Sequence, residues 1–311
     1  MTDILAAIAD IFTSPTMYSS AVRLGGFLAF AALGELVAEK AGTINISVEG
    51  SLLAGAFAGA VGYDMTGSTW VGLLFGVVGG LLVGLIQANM SHRLSADQFI
   101  VGITANILVV GFVGFLNGVL NPAARRASII EIPILSNIPL IGPALFGQTW
   151  PTYILYPLIP LTWWGLYKTR WGLEVRAVGE NPQAADVSGI DVNKRRRQAI
   201  YYGAMLAGLG GAFLVVGQVG SFDTGMVGGR GFIAIAAVYF GGWRLKGMLF
   251  GALLFGFADA FRLTMPVLGY RLNAHMMAAF PYVLTLIVMY FVTKEFRQPA
   301  ALSRPFVRGL R

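Results

Sequence analysis

The chain has 311 residues, of which 56% are hydrophobic and only 12% charged, with a mean hydropathy of +0.70. A soluble globular chain carries roughly 25% charged residues, so this composition belongs to a polytopic membrane protein and excludes an ordinary soluble domain. The net charge of +7 comes from Lys and Arg set between apolar runs, which fits the positive-inside bias and excludes a nucleic-acid platform, and the absence of cysteine excludes disulfides, thiolate metal sites and thiol nucleophiles.

The N-terminus carries Asp3 and Asp10 and no Lys or Arg before Arg23, so it lacks the positive region of a secretory signal and insertion depends on internal segments. Residues 4–13 predict a short helix ended by Ser14 and Pro15. Ten residues reach about 15 Å, half a bilayer core, so this helix is interfacial or a tilted short span. Residues 18–38 predict the first full span, followed by a polar run from Glu39 and Lys40 to Gly50. Further apolar runs follow at 50–63, 69–90 and 99–120, and then a Pro/Ile-rich stretch, 121–150, reads as a partly ordered cap. Spans at 151–167, 198–217, 231–242, 247–261 and 276–293 complete an all-α polytopic membrane protein of nine helices, or ten if the first helix crosses. The whole chain, 1–311, reads as one transmembrane domain.

Between two of these spans lies a dense polar and cationic island, residues 168–197. With each run crossing once and the C-terminus cytoplasmic, the cytoplasmic segments hold 16 of the 22 Lys and Arg. The opposite orientation would put those cations outside, against the positive-inside rule. The island and the tail are therefore expected in the cytoplasm.

A faint repeat relates the two halves, 1–120 and 151–293. The sequence GLLFG at 72–76 answers GMLFG at 247–251, each after an Ala/Gly-rich run. Five spans in each half force the halves into inverted orientation. The runs 50–63 and 231–242 reach only about 20 Å against a core of roughly 30 Å. Short, Gly-interrupted segments at matching positions of two halves point to a pathway at the membrane midplane, while small-residue helix packing accounts for the same glycines.

Polar residues in or beside the apolar runs include Glu35, Asn45, Glu49, Gln87, Asn106, Asn117, Gln218 and Asp259. Such groups must face protein or water, and interhelical hydrogen bonding is their simplest role. Asn45 and Glu49 flank the first short run, and Glu35 and Glu39 share a helix face. The two histidines, His92 and His275, have no partner at metal-ligand spacing, and Ser47 has no evident base, so neither a metal or cofactor site nor an enzyme is read here.

Within the island, Asn181 followed by Pro182 is a helix start and Gly189 a left-handed stop. Between them a helix of about two turns carries the small residues Ala184 and Ala185, which permit close approach by a partner. Asp191 or Asn193 then caps the next span, with Lys194 to Arg197 at its cytoplasmic end. An interfacial helix lying on lipid headgroups shares this pattern.

The sequence RAVGENPQAADVSGI, residues 176–190, resembles the coupling loop of ABC importer permeases, with Gln183 where that pattern has Glu, followed by Ala184, Ala185 and Gly189. Two further stretches, 34–60 and 228–260, are similar to permease subunits of simple-sugar and nucleoside importers that work with basic-membrane-protein-type binding proteins; the second favours nucleosides. This resemblance covers about residues 20–293. It implies a type II ABC importer-like transmembrane domain in the cytoplasmic (inner) membrane. It also implies a second permease subunit, identical or different, two cytoplasmic ATPase subunits and an extracytoplasmic substrate-binding protein. No GxxxxGK[ST] motif occurs, so ATP binding belongs to another subunit. On this reading Asn181, Pro182, Gln183, Ala184, Ala185 and Gly189 couple to the ATPase, and Asn45, Glu49, Asn106 and Gln218 line the substrate pathway, their amides suiting a nucleoside's hydrogen-bonding groups. The rival is an ion-coupled secondary transporter using Glu35, Glu49 or Asp259.

Overall fold

The computed structural model describes residues 14–139, 141–267, 298–307 and five positions between 283 and 290. The predicted helix at 4–13 and most of the run 276–293 lie outside the described residues. Helix α1, Pro15–Lys40, starts with Pro15 at its first turn and ends at Lys40. It is apolar all round and fully enclosed from Ala31 to Val37, the signature of a bundle-core helix. Helices α2 (Val48–Thr66), α3 (Thr69–His92) and α4 (Gln98–Leu120) follow. The 19 residues of α2 reach about 28 Å, so the expected short run 50–63 is corrected to a nearly full-length helix, extended at both ends. Its C-terminus closes on Gly67 in the left-handed conformation.

The fold is helical as expected, with one small sheet in addition. In the 121–150 cap, strand β1 (Ile129–Glu131) pairs antiparallel with β2 (Gly147–Thr149), enclosing the short helix α5 (Ile141–Phe146). Ile129 and Ile130 favour extended backbone, and the Tyr153 hydroxyl donates to Ile130 O at 2.7 Å. Helix α6, Leu155–Lys168, leads into the polar island, which is mostly helical rather than a loop. Helix α7 covers Arg170–Glu180 and α8 covers Pro182–Val187. Helix α9, Val192–Ala212, continues as a π-helical segment through Val219, so the expected span at 198–217 begins six residues early. Helix α10, Arg230–Phe240, remains short, about 16 Å for its 11 residues, and α11 covers Leu245–Val267.

Helices α1 and α9 form the axis of the molecule. Phe30 and Phe213 rings lie 5.3 Å apart, Gly34 sits against Gly203, and Gln218 reaches Arg23 O at 2.5 Å, so the two helices run antiparallel. Around them the packing is reciprocal: α9 contacts α2 and α3, and α1 contacts α10 and α11. Glycine makes the closest approaches possible. A Cβ on Gly208 would fall 2.8 Å from the Gly80 backbone, a distance no side chain tolerates. Among the described residues, five helices are long and apolar enough to cross a membrane: α1, α3, α4, α9 with its π segment, and α11.

Candidate functional site

The two helices that follow the chain breaks both begin well inside the bundle. Helix α2 descends antiparallel to α3, with Gly59 beside Gly72 and Ala54 beside Gly79. Continuing this register puts Val48 roughly two turns, about 12 Å, short of the end of α3 at His92. Helix α10 pairs with α11 in the same way, Ala237 beside Gly251, and the ion pair of Arg230 with Asp259 at 3.4 Å puts its start eight residues before Val267. These two recessed N-termini meet. The Glu49 carboxylate accepts Gly229 N–H at 2.8 Å and Gly231 N–H at 2.6 Å, satisfying amide donors that the start of α10 leaves free.

Segment 41–47, which feeds α2, runs as irregular backbone buried in protein, the setting that irregular backbone at membrane depth requires. Its polar groups are tied to α1, α3 and α4. The Glu35 carboxylate accepts Asn45 N–H at 2.9 Å, and Ser47 Oγ donates to Asn45 Oδ1 at 2.7 Å. Asn106 donates to Ile46 O at 2.9 Å and accepts from Gly50 N–H at 2.8 Å, splinting α4 across the break. Gln98 Oε1 accepts both Ile44 N–H at 3.1 Å and the Thr43 hydroxyl at 3.0 Å. Having spent its only proton there, Thr43 must accept from His92 Nε2 at 2.8 Å, which fixes the tautomer as Nε2–H.

Asn45, Glu49 and Asn106 therefore gather around one junction, where all three serve as ties. Gln218 stands apart, fastening the end of α9 to α1. Three buried atoms near the junction lack a protein partner: Glu35 Oε2, Asn45 Nδ2 and Ser51 Oγ. Glu39 accepts the indole N–H of Trp243 at 2.5 Å. Trp243 was not read from the sequence, because its left-handed backbone (φ 54°) in the α10–α11 turn has no signature in composition.

At the other end, Asn181 Oδ1 accepts Ala184 N–H at 3.0 Å with Pro182 at the first helical position. Gly189 has φ 84°. Of the two candidate caps for α9, Asp191 serves, accepting Lys194 N–H at 2.8 Å. The residues expected to couple to an ATPase divide into two faces. Gln183, Ala184 and Gly189 are exposed, whereas Pro182 is buried and Ala185 is buried against Val178 and Val192. Of the two alanines, Ala184 lies on the open face and Ala185 on the buried one. Val187, which the sequence reading passed over, is 89% exposed at the tip of α8.

An enclosed antiparallel helix core, two helices recessed from opposite sides and a short capped helix on a cationic face define a membrane permease. Residues 17–293 match the family described as branched-chain amino acid transport system / permease component. The guanosine ABC transporter permease protein NupQ of Bacillus subtilis is 32% identical over 99% of this chain and 100% of that protein. The nucleoside ABC transporter permease protein NupC of Lactococcus lactis is 34% identical over 84% and 87%, respectively. The fructose import permease protein FrcC of Rhizobium meliloti is 29% identical over 68% and 59%. The chain belongs to this permease family. It is the membrane-embedded, non-enzymatic subunit of an ABC transporter, which works with ATPase and substrate-binding partners. The ion-coupled alternative is set aside by this membership, and two of its carboxylates are already engaged: Glu49 by amides, Asp259 by Arg230 and Arg262.

Proposed function

We propose that this chain is the permease subunit of an ATP-driven importer of nucleosides or simple sugars that works by alternating access in the cytoplasmic membrane. The observation that carries this reading is the Glu49 junction, where helices recessed from opposite sides are held together by one carboxylate. A pathway opening there would uncover Glu35 Oε2, Asn45 Nδ2 and Ser51 Oγ, the kind of donor and acceptor groups that a ribose or a base needs. Asn45 and Glu49 then belong to the pathway, Asn106 frames it, and Gln218 acts at its outer end. Near-complete coverage by a guanosine permease supports nucleosides, and the fructose permease keeps sugars in the substrate class.

Reciprocal packing of α1 on α10 and α11, and of α9 on α3 and α2, supports the inverted relation of the halves 1–120 and 151–293. The exposed edge of α8 supports docking of a cytoplasmic ATPase on Gln183, Ala184, Val187 and Gly189. Two such ATPases, a second permease and an extracytoplasmic binding protein complete the assembly, with the C-terminus in the cytoplasm.

The reading is tested by reconstituting the chain with its transporter partners and following labelled guanosine and fructose. Uptake of one of them that disappears with a hydrolysis-dead ATPase is the expected result. Uptake that persists without ATP and collapses with the ion gradient would refute it.

A further inference from the structure

Segment 298–307 lies beyond the last apolar run, yet it is built into the cytoplasmic end of the bundle. Ala301 N–H donates to Gly179 O at 3.0 Å and Ser303 N–H to Gly42 O at 3.2 Å, so the segment pairs with the last turn of α7 and with the loop after α1. Arg196, in the second turn of α9, has no solvent exposure at all. Its guanidinium donates through Nε to Ala41 O at 3.2 Å, through Nη1 to Arg304 O at 2.7 Å and through Nη2 to Ala301 O at 3.4 Å. Carbonyl dipoles, including the negative end of α1, thus take the place of water around a buried cation.

The segment then ends behind α8. Phe306 packs on the buried cluster of Val178, Ala185 and Val192 and borders a cavity of about 190 Å³ together with Asp186, Gly189 and Asp191. Helix α8 has only six residues, joined to its neighbours by Asn181 on one side and by Gly189 on the other. Its buried contacts are Pro182 and Ala185. Such a short element would tilt under load unless something filled the space behind it.

We propose that Arg196 and Phe306 are positioning residues for transport: with segment 298–307 they brace the coupling helix from behind, so that a push from an ATPase reaches α1 and α9. This rests on the reading of α8 as the ATPase dock. Force delivered at Val187 and Ala184 passes through Ala185 to Phe306. The strap carries it to Arg196, whose planar fork joins the strap to both central helices at once. Lysine cannot reproduce that geometry.

The test uses the complete reconstituted transporter and reads substrate moved per ATP hydrolysed. Phe306→Ala and Arg196→Lys are each expected to retain co-purifying ATPase while this ratio falls roughly two- to thirtyfold, the range for residues that modulate coupling without touching ligand. Phe306→Leu, which refills much of the space, restores the ratio and serves as the readout if the alanine variant fails to assemble. A merely structural role would lower the amount of complex and leave the ratio unchanged, which overturns the proposal, as does a rise in transport on loosening the strap. Val187→Asp separates the two readings: if it still co-purifies with the ATPase, the docking assignment fails, whatever Phe306→Ala does.

Discussion

Asn106 shows how a polar residue inside an apolar helix can hold a break in the chain together. Its amide donates to Ile46 O and its carbonyl accepts Gly50 N–H, so one side chain satisfies backbone groups on both sides of the start of α2. Asn106→Ala leaves both buried groups unpaired, at about 1–3 kcal/mol each. The purified variant is expected to melt several degrees below the wild-type chain, as followed by tryptophan fluorescence. An alanine variant with wild-type melting would show that this tie carries no stability. The pairing of Glu49 with Gly229 and Gly231 spans about 180 residues of sequence and has no local signature, which is why the sequence marked Glu49 as a pathway residue without naming what it holds.

Helix α8 was legible in advance because its limits are set by local chemistry. Asn181 and Pro182 begin it through amide capping and a fixed φ, and Gly189 ends it with φ 84°. Nothing lies within 4 Å of a Cβ placed on Gly189, so the constraint there is conformational and not steric. Gly189→Asn, which tolerates the left-handed region, is therefore expected to bind ATPase and transport near wild-type levels. Gly189→Val should lose coupling, since the left-handed region costs an L residue about 1–2 kcal/mol, and valine's β-branching adds to this. Co-purification and uptake measured side by side check this; equal behaviour of the two variants would contradict it. Which face of α8 is free could not be read locally. Ala184 and Ala185 are equivalent in sequence, and only the cluster formed with α7, α9 and the tail assigns Ala185 to the interior.

The whole assembly depends on orientation, and the absence of cysteine makes that measurable. Val307 and Val187 are both exposed, and the tail contacts α7 behind α8, so single cysteines at the two positions must lie on the same side. Each of Val307→Cys and Val187→Cys is expected to react with a membrane-impermeant maleimide in inverted vesicles and to be protected in intact cells. Labelling of either in intact cells would reverse the topology. On the proposed alternating-access reading, the reciprocal contacts of α1 and α9 suit a rocking motion of one half against the other, and Glu49 is proposed to sit at the contact that each cycle would remake.

Hydropathy, charge placement and helix-capping residues by themselves determined that this is a polytopic membrane protein, put most spans near their observed positions and marked out α8. These are short-range properties, written in ten or twenty consecutive residues. The tertiary structure alone decided that α2 is long but recessed and that α7 fills much of the polar island. It also decided that Asn45, Glu49 and Asn106 meet at one junction and that the segment 298–307 returns to Arg196 behind α8. Each of these rests on hydrogen bonds or packing between segments tens to hundreds of residues apart, where the partner of a side chain is set by the path of the chain and not by its neighbours in sequence.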